Sequence, residues 1–107
     1  MNFTNIEQSK KLLELGLSPD SADMFYQHIP ELNSWDSVPE VAKYIKESIA
    51  IPCWSVGALM NLMPNQTIEK IDDVYYVHYE PYYMYSAPVL VDAIYGMVVY
   101  LLENNKI

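Results

Sequence analysis

Apolar residues recur at helical spacing over much of this chain and alternate with polar residues in one segment between Ile68 and Tyr85. The helical spacing predicts amphipathic helices, because residues three and four positions apart share one helix face. The alternation predicts strands, because successive side chains of a strand point to opposite faces. The chain is therefore expected to contain both kinds of element.

Capping signals mark the starts of three helices in the first half of the chain. Residues Thr4 to Glu7 have the spacing of a capping box, which predicts a first helix that ends at Gly16. Ser18-Pro19 predicts a second helix, whose apolar residues follow i, i+3, i+4 and i+7 from Ala22 to Ile29. Residues Ser37 to Glu40 repeat the capping-box spacing and predict a third helix that reaches Ile49.

The predicted secondary structure changes from helical to extended near Pro52. Pro52 removes a backbone donor and disfavours helix in the residue before it, so Ile49 to Trp54 is predicted to be extended. Ser55 then caps a fourth predicted helix that closes at Met63-Pro64.

The alternating segment predicts a small sheet ahead of the last helix. One face of its central strand carries Tyr75, Val77 and Tyr79, and the other carries Tyr76, His78 and Glu80. Strands before and after it, from Ile68 to Ile71 and from Tyr82 to Tyr85, complete a two- to three-stranded antiparallel sheet. The last helix has an unbroken apolar stripe, formed by Leu90, Ala93, Ile94, Met97, Val98, Leu101 and Leu102.

These elements predict the fold class. We expect a single α+β domain over residues 1–107, with four to five helices. The small two- to three-stranded antiparallel sheet lies between the fourth helix and the long C-terminal helix in this prediction. The apolar fraction of 51% is far above that of disordered chains, which predicts a folded core.

The charge balance narrows the choice of partners. The chain has 14 acidic and six basic residues, and the basic residues are all lysines, which gives a net charge of −8. Because arginine is the usual ligand for phosphates and guanine edges, we expect no nucleic-acid partner. An acidic nucleic-acid mimic that occupies a basic protein remains an alternative.

The single cysteine and the length of the longest apolar stretch predict the cellular location of the protein. The lone Cys53 has no intramolecular disulfide partner, and the first five residues lack the pattern of a signal peptide. The longest apolar stretch, Ala93 to Leu102, is about half the ~20 residues that a bilayer requires. We therefore expect a cytoplasmic protein without a membrane partner.

Two segments carry recognisable sequence patterns. Residues Pro52 to Leu59 read Pro-x-Trp-Ser-x-x-Ala-Leu, and the last helix runs from Val91-Asp92-Ala93 to Leu101-Leu102-Glu103-Asn104. Both patterns resemble a group of small hypothetical proteins of gut anaerobic bacteria and their prophages or mobile elements. The resemblance implies a phage or mobile-element setting and implies no catalytic residues.

Candidate chemistry is sparse. Cys53 with His28 or His78 would be a nucleophile and base brought together by folding, but a cysteine between Pro52 and Trp54 without a glycine-rich turn is more typical of a small core residue. His78 and Glu80 share one strand face and would offer two metal ligands, as in a metal-dependent hydrolase. Asp72 or Asp73 would be the third ligand. Since polar residues at this spacing are commonly solvated, we expect no enzyme activity, no catalytic residues, no metal site and no cofactor.

Tyrosine density is the most unusual feature of the chain. On so small a sheet these residues fall on both faces and cannot all enter one core. We therefore predict a non-enzymatic protein-interaction or accessory factor, whose partner is another protein or a second copy in a homo-oligomer. The predicted interaction surface consists of Tyr75, Tyr76, Tyr79, Tyr82, Tyr83 and Tyr85.

Overall fold

The structure is a computed structural model that describes residues 2–29, 34–35, 39–41, 50–63, 65–79 and 83–107. Within these ranges the α-helices are α1 (Ile6–Glu14), α2 (Val56–Met60) and α3 (Leu90–Glu103). A 3-10 turn occupies Pro19–Ser21. The strands are β1 (Met24–Ile29), β2 (Ser34–Trp35), β3 (Glu40–Val41), β4 (Ala50–Cys53), β5 (Thr67–Ile71), β6 (Val74–Tyr79) and β7 (Tyr83–Ala87).

The chain is a mixed α+β protein, but the predicted four to five helices are wrong for the described residues, where three α-helices are present. The second predicted helix is replaced by the 3-10 turn and by β1. A short apolar run with Phe25, Tyr26 and Ile29 suits a strand as well as a helix, because aromatic and β-branched side chains favour a pleated surface. Pairing with β4, about 25 residues further along the chain, decides between them.

The third predicted helix is only partly within the described residues. Its start is contradicted, because Glu40–Val41 is strand β3 and pairs with β1. Residues 42–49 of this prediction lie outside the described residues. The extended segment predicted before Trp54 is confirmed as β4, and all four of its residues are buried.

The first sheet, which was not predicted, is organised around β1. Met24 and Phe25 pair with β3 and also with β4, so these two strands lie on opposite edges of β1. β2 pairs with the end of β1 at residues 28–29. All of these pairings are antiparallel.

The second sheet has the order β5-β6-β7, and both of its pairings are antiparallel. It lies between α2 and α3 in the chain. A two-residue turn joins β5 to β6, with φ of 51° at Asp72 and 64° at Asp73. These left-handed angles at both central positions define the type I′ turn that matches the twist of a hairpin.

The main core lies between α3, α2 and one face of the second sheet. Val77 from β6 and Leu12 from α1 are fully buried in it, together with Trp54. A smaller cluster of Tyr26, Ile51 and Cys53 lies between the first sheet and α1. Helix α1 contacts both clusters, since Leu12 belongs to the first and Ile6 packs against the second.

Gly96 lies in the middle of α3, where its lack of a side chain allows close contact with Tyr85. A Cβ atom at this position would lie 2.8 Å from Cδ1 of the Tyr85 ring, which is closer than carbon atoms approach each other in folded proteins. The absence of a side chain lets the β7 tyrosine lie directly on the helix. The ring of Tyr85 also contacts Tyr100 of α3 at a centroid distance of 6.0 Å.

Gly96→Ala is expected to lower the free energy of unfolding by roughly 1 kcal/mol, because displacing the ring outweighs the gain in helix propensity. In a Tyr85→Ala background the same substitution is expected to raise it by about 1 kcal/mol, since only the propensity term remains. Urea denaturation of the four proteins in this double-mutant cycle measures both values. A change of the same sign in both backgrounds would contradict the contact.

Candidate functional site

The second sheet has one covered face and one open face. Tyr75, Val77 and Tyr79 of β6 pack against the core that contains α3. Side chains at the intervening positions therefore point away from the core. We call this surface the outer face; it consists of Thr67, Glu69, Ile71, Val74, Tyr76, His78, Met84 and Ser86.

Two large apolar side chains on the outer face are more exposed than buried. Ile71 is 51% exposed and Met84 is 55% exposed, and Tyr76 lies half-buried between them in the middle strand. Glu69 is the one carboxylate among these eight described positions. The described outer face therefore carries no cluster of acidic side chains. A surface of this kind is suited to contact with another macromolecule.

The predicted tyrosine surface is divided by the sheet. Tyr75 and Tyr79 pack against the core, whereas Tyr76 lies on the outer face. Tyr85 lies on α3 at the edge of the sheet and remains 38% exposed. The position of Tyr83 pairs with that of Tyr79, and Tyr82 lies outside the described residues. The tyrosine pattern identified this segment, but the exposed residues Ile71 and Met84 were missed, because exposure depends on what packs above each position.

His78 is not close to the turn carboxylates that were considered as further metal ligands. It pairs with Thr67 at one end of the hairpin, whereas Asp72 and Asp73 form the turn at the other end. Five residues of extended strand separate His78 from Asp73, which corresponds to roughly 17 Å. Glu80 lies outside the described residues, and within the described ranges no three His, Cys, Asp or Glu side chains are grouped as metal ligands would be.

Cys53 is also distant from the histidine on the neighbouring strand. Cys53 pairs with Met24, four residues before His28 in β1, which is about 14 Å along the strand. His78 belongs to the other sheet. The backbone register therefore does not place the position of His28 beside that of Cys53.

The surroundings of Cys53 are a buried hydrogen-bond network centred on Thr4. The Cys53 thiol donates to the Thr4 carbonyl oxygen at 3.2 Å, and the Tyr26 hydroxyl donates to the same oxygen at 2.7 Å. The Thr4 Oγ1 accepts from the Trp54 backbone N–H at 3.1 Å and is hydrogen-bonded to Ser9 Oγ at 2.8 Å. These bonds attach the N-terminal segment to the end of β4.

The role of Thr4 differs from the predicted one. Its hydroxyl was expected to cap α1, but the helix is capped by Asn5, whose Oδ1 accepts from the Gln8 N–H. Gln8 completes this capping box by accepting from the Asn5 N–H. The box is shifted by one residue because Thr4 is fully buried and its hydroxyl bonds inside the protein.

Electrostatics make Cys53 a poor nucleophile. Burial away from water raises the pKa of the Cys53 thiol, because the thiolate loses its hydration. Burial likewise raises the pKa of the Tyr26 hydroxyl. Reactive cysteines have a lowered pKa and access to solvent, and Cys53 has neither.

Cys53 is expected to react with a disulfide reagent at pH 8 roughly 5,000-fold more slowly in the native protein than in urea, since a domain stable by ~5 kcal/mol unfolds that rarely. The rate is measured by release of the coloured thiolate. A native rate within tenfold of the unfolded rate would show an accessible, activated thiol.

The same buried thiol is expected to make stability depend on alkaline pH. Its folded pKa lies above the unfolded value of about 8.5, so its stabilising contribution is complete below pH ~8.5 and is lost as the pH rises through the folded pKa. The free energy of unfolding should therefore fall more steeply above pH ~9 in the wild type than in Cys53→Ala. Equal slopes in the two proteins would contradict the shift.

A second surface feature is an open depression of about 250 Å³ between α1 and the first sheet, lined by Leu13, Pro19, Ala50 and Pro52. These four described lining residues are apolar, and none of them carries a titratable side chain.

No family model, no curated protein and no solved structure matches this chain. No helix within the described residues is both long and apolar enough to cross a membrane.

Proposed function

We propose that this chain is a non-enzymatic protein-interaction factor that binds its partner through the outer face of the β5–β7 sheet. The observation that carries the proposal is that the described residues cover this sheet on one face only. Ile71 and Met84 are more than half exposed on the other face. Exposed apolar side chains around a central tyrosine are typical of contact surfaces, where tyrosine is enriched among the residues that dominate affinity.

Charge supports a protein partner for this surface. An acidic chain without arginine gains little from counterion release on nucleic acid. The outer face has one carboxylate and no lysine at its positions, so a partner binds there without neutralising a dense charge. The burial of Cys53 and the separation of His78 from Asp72 and Asp73 also favour a role without catalysis.

The setting of the protein is part of the proposal. The resemblance of residues 51–64 and 90–104 to small proteins of prophages and mobile elements supports an accessory role in such an element. A cytoplasmic location is consistent with the lone cysteine and with the acidic composition.

A photo-crosslinking amino acid at position 76 tests the outer face directly in a lysate of the native host. We expect it to capture a protein partner that is competed by unlabelled wild-type chain. Competition by an Ile71→Lys/Tyr76→Ala chain should be at least about tenfold weaker, because the variant loses a central aromatic contact and gains a charge. Ile107→Lys is the matched control, since Ile107 is an exposed apolar residue outside the sheet.

Competition by these variants can be compared only if the variants are equally stable, which thermal unfolding checks. Equal competition by the wild type, the double variant and Ile107→Lys would show that the outer face is not the binding surface. Absence of any competed crosslink at position 76 would overturn the proposal in the same way.

A further inference from the structure

The β5–β6 turn and the register of the second sheet determine which backbone groups of β7 point out of the sheet. In a two-residue hairpin the residues that flank the turn, Ile71 and Val74, form a hydrogen-bonded pair. Hydrogen-bonded and non-hydrogen-bonded pairs alternate along an antiparallel ladder. Residues 74, 76 and 78 of β6 therefore direct their N–H and C=O groups to β5, and residues 75, 77 and 79 direct theirs to β7.

This alternation leaves Met84 and Ser86 with outward backbone groups. The β7 residues opposite 75, 77 and 79 are Ala87, Tyr85 and Tyr83, which use their N–H and C=O groups to bond β6. The N–H and C=O groups of Met84 and Ser86 point away from the sheet and are not bonded by any strand in the described part of the chain. Both residues are exposed.

The two edges of the sheet are protected differently. The edge strand β5 contains Glu69 and Lys70 and is followed directly by Asp72 in the turn. Charged residues on an edge strand discourage pairing with another chain. Strand β7 contains no charged residue and no proline, and its register with β6 is continuous over all five residues. Among the described strands of this sheet, β7 is the edge that lacks such protection.

We infer that β7 pairs antiparallel with β7 of a second copy of this chain, about a two-fold axis at Tyr85, to form one continuous six-stranded sheet. This inference goes beyond the proposed function, because it concerns the β7 edge of the sheet and not the outer face, and its partner is a second copy. Met84 lies opposite Ser86 of the second copy, and Ser86 lies opposite its Met84. Each of these two pairs exchanges two hydrogen bonds, because all the outward groups match.

The side chains suit this arrangement. Tyr85 faces its own counterpart at the central non-hydrogen-bonded position, where side chains approach most closely and aromatic pairs stabilise a sheet. Pro88 has no N–H at the next outward position, so the ladder ends there. The uncharged strand lets two chains of net charge −8 meet without opposing carboxylates on the paired strands. A contact of one five-residue strand is small, which predicts a weak, concentration-dependent dimer.

Amide hydrogen exchange of the wild-type chain at several concentrations tests the pairing residue by residue. The Met84 and Ser86 amides are expected to become at least about tenfold more protected as the protein passes from monomer to dimer, since strand pairing removes them from water. The Tyr85 amide, bonded within the chain, should show the same protection at every concentration. Exchange at Met84 and Ser86 that does not depend on concentration would overturn the inference.

A pair of proline variants gives a second test by sedimentation equilibrium. Ser86→Pro removes an outward N–H of β7, and Lys70→Pro removes the corresponding outward N–H of β5, so each leaves the ladder within the sheet intact. Ser86→Pro is expected to raise the dimer dissociation constant at least about tenfold by removing hydrogen bonds at the interface. Lys70→Pro should leave the constant unchanged.

The two proposals fail in different experiments. A monomer at every concentration, or equal dimerisation of wild type and Ser86→Pro, contradicts pairing through β7 and leaves the outer-face crosslinking result intact. If Ile71→Lys/Tyr76→Ala competes for the crosslink as well as the wild type does, the outer face is not the binding surface. That result would not affect concentration-dependent protection of the Ser86 amide. If Ser86→Pro does not fold, the exchange measurement on the wild type decides.

Discussion

Replacement of Trp54 by alanine is expected to lower the free energy of unfolding by about 3–5 kcal/mol, the usual cost of removing a large aromatic side chain from a core. Trp54 is fully buried and belongs to the main core, next to the end of β4. Its indole Nε1–H donates to Ser21 Oγ at 2.9 Å, so the side chain also fixes the 3-10 turn. Urea denaturation followed by circular dichroism measures the change, since the variant lacks the buried Trp54 as a fluorescent probe.

Two further variants separate the packing of Trp54 from its hydrogen bond. Trp54→Phe keeps much of the apolar volume and should cost clearly less than Trp54→Ala. Ser21→Ala leaves the buried indole N–H without its acceptor and should cost about 1–3 kcal/mol. If Trp54→Ala and Ser21→Ala have equal effects, the tryptophan acts mainly through its hydrogen bond and the packing argument is wrong.

Leu101→Ala is expected to destabilise the protein by about 2–5 kcal/mol, through lost burial and the cavity left in the core. Leu101 is fully buried on the face of α3 that packs in the main core. Helix propensity favours alanine slightly, so a loss of stability reports tertiary packing alone. The shift of the urea midpoint at constant slope gives the value.

Leu102→Ala is the matched control, because the neighbouring leucine on the same helix is only half-buried. Its expected cost is about 1 kcal/mol, in proportion to the smaller area that it removes from water. An unchanged midpoint for Leu101→Ala, or a larger effect for Leu102→Ala, would show that the buried face of α3 is assigned incorrectly.

The proposed interaction function depends on which surfaces the second sheet exposes. Sequence reasoning identified the tyrosine-rich strands and the two faces of β6, since period-two alternation assigns residues to faces without further information. It did not identify Ile71 and Met84 as exposed residues or β7 as an unpaired edge. Both facts depend on where α3 lies and on which strand has no neighbour in the described residues.

Local signals in the sequence determined the elements whose stabilising contacts are also local. The cap at Ser55 and the apolar stripe of α3 each lie within one element, and each was recognisable from residue type and spacing. The same reasoning predicted the extended backbone that is observed in β4.

Tertiary contacts decided the elements whose local signals were ambiguous. The segment Met24–Ile29 carries a helical spacing of apolar residues and becomes a strand because β4 supplies hydrogen-bond partners from a distant part of the chain. Thr4 had the residue type and spacing of a helix cap, but its burial beside Cys53 and Trp54 moved the cap to Asn5. Gly96 had no explanation within α3, and the ring of Tyr85 from β7 provides it. In each case a long-range contact contributes more free energy than the local preference that it overrides, and such a contact is not encoded in the neighbouring residues.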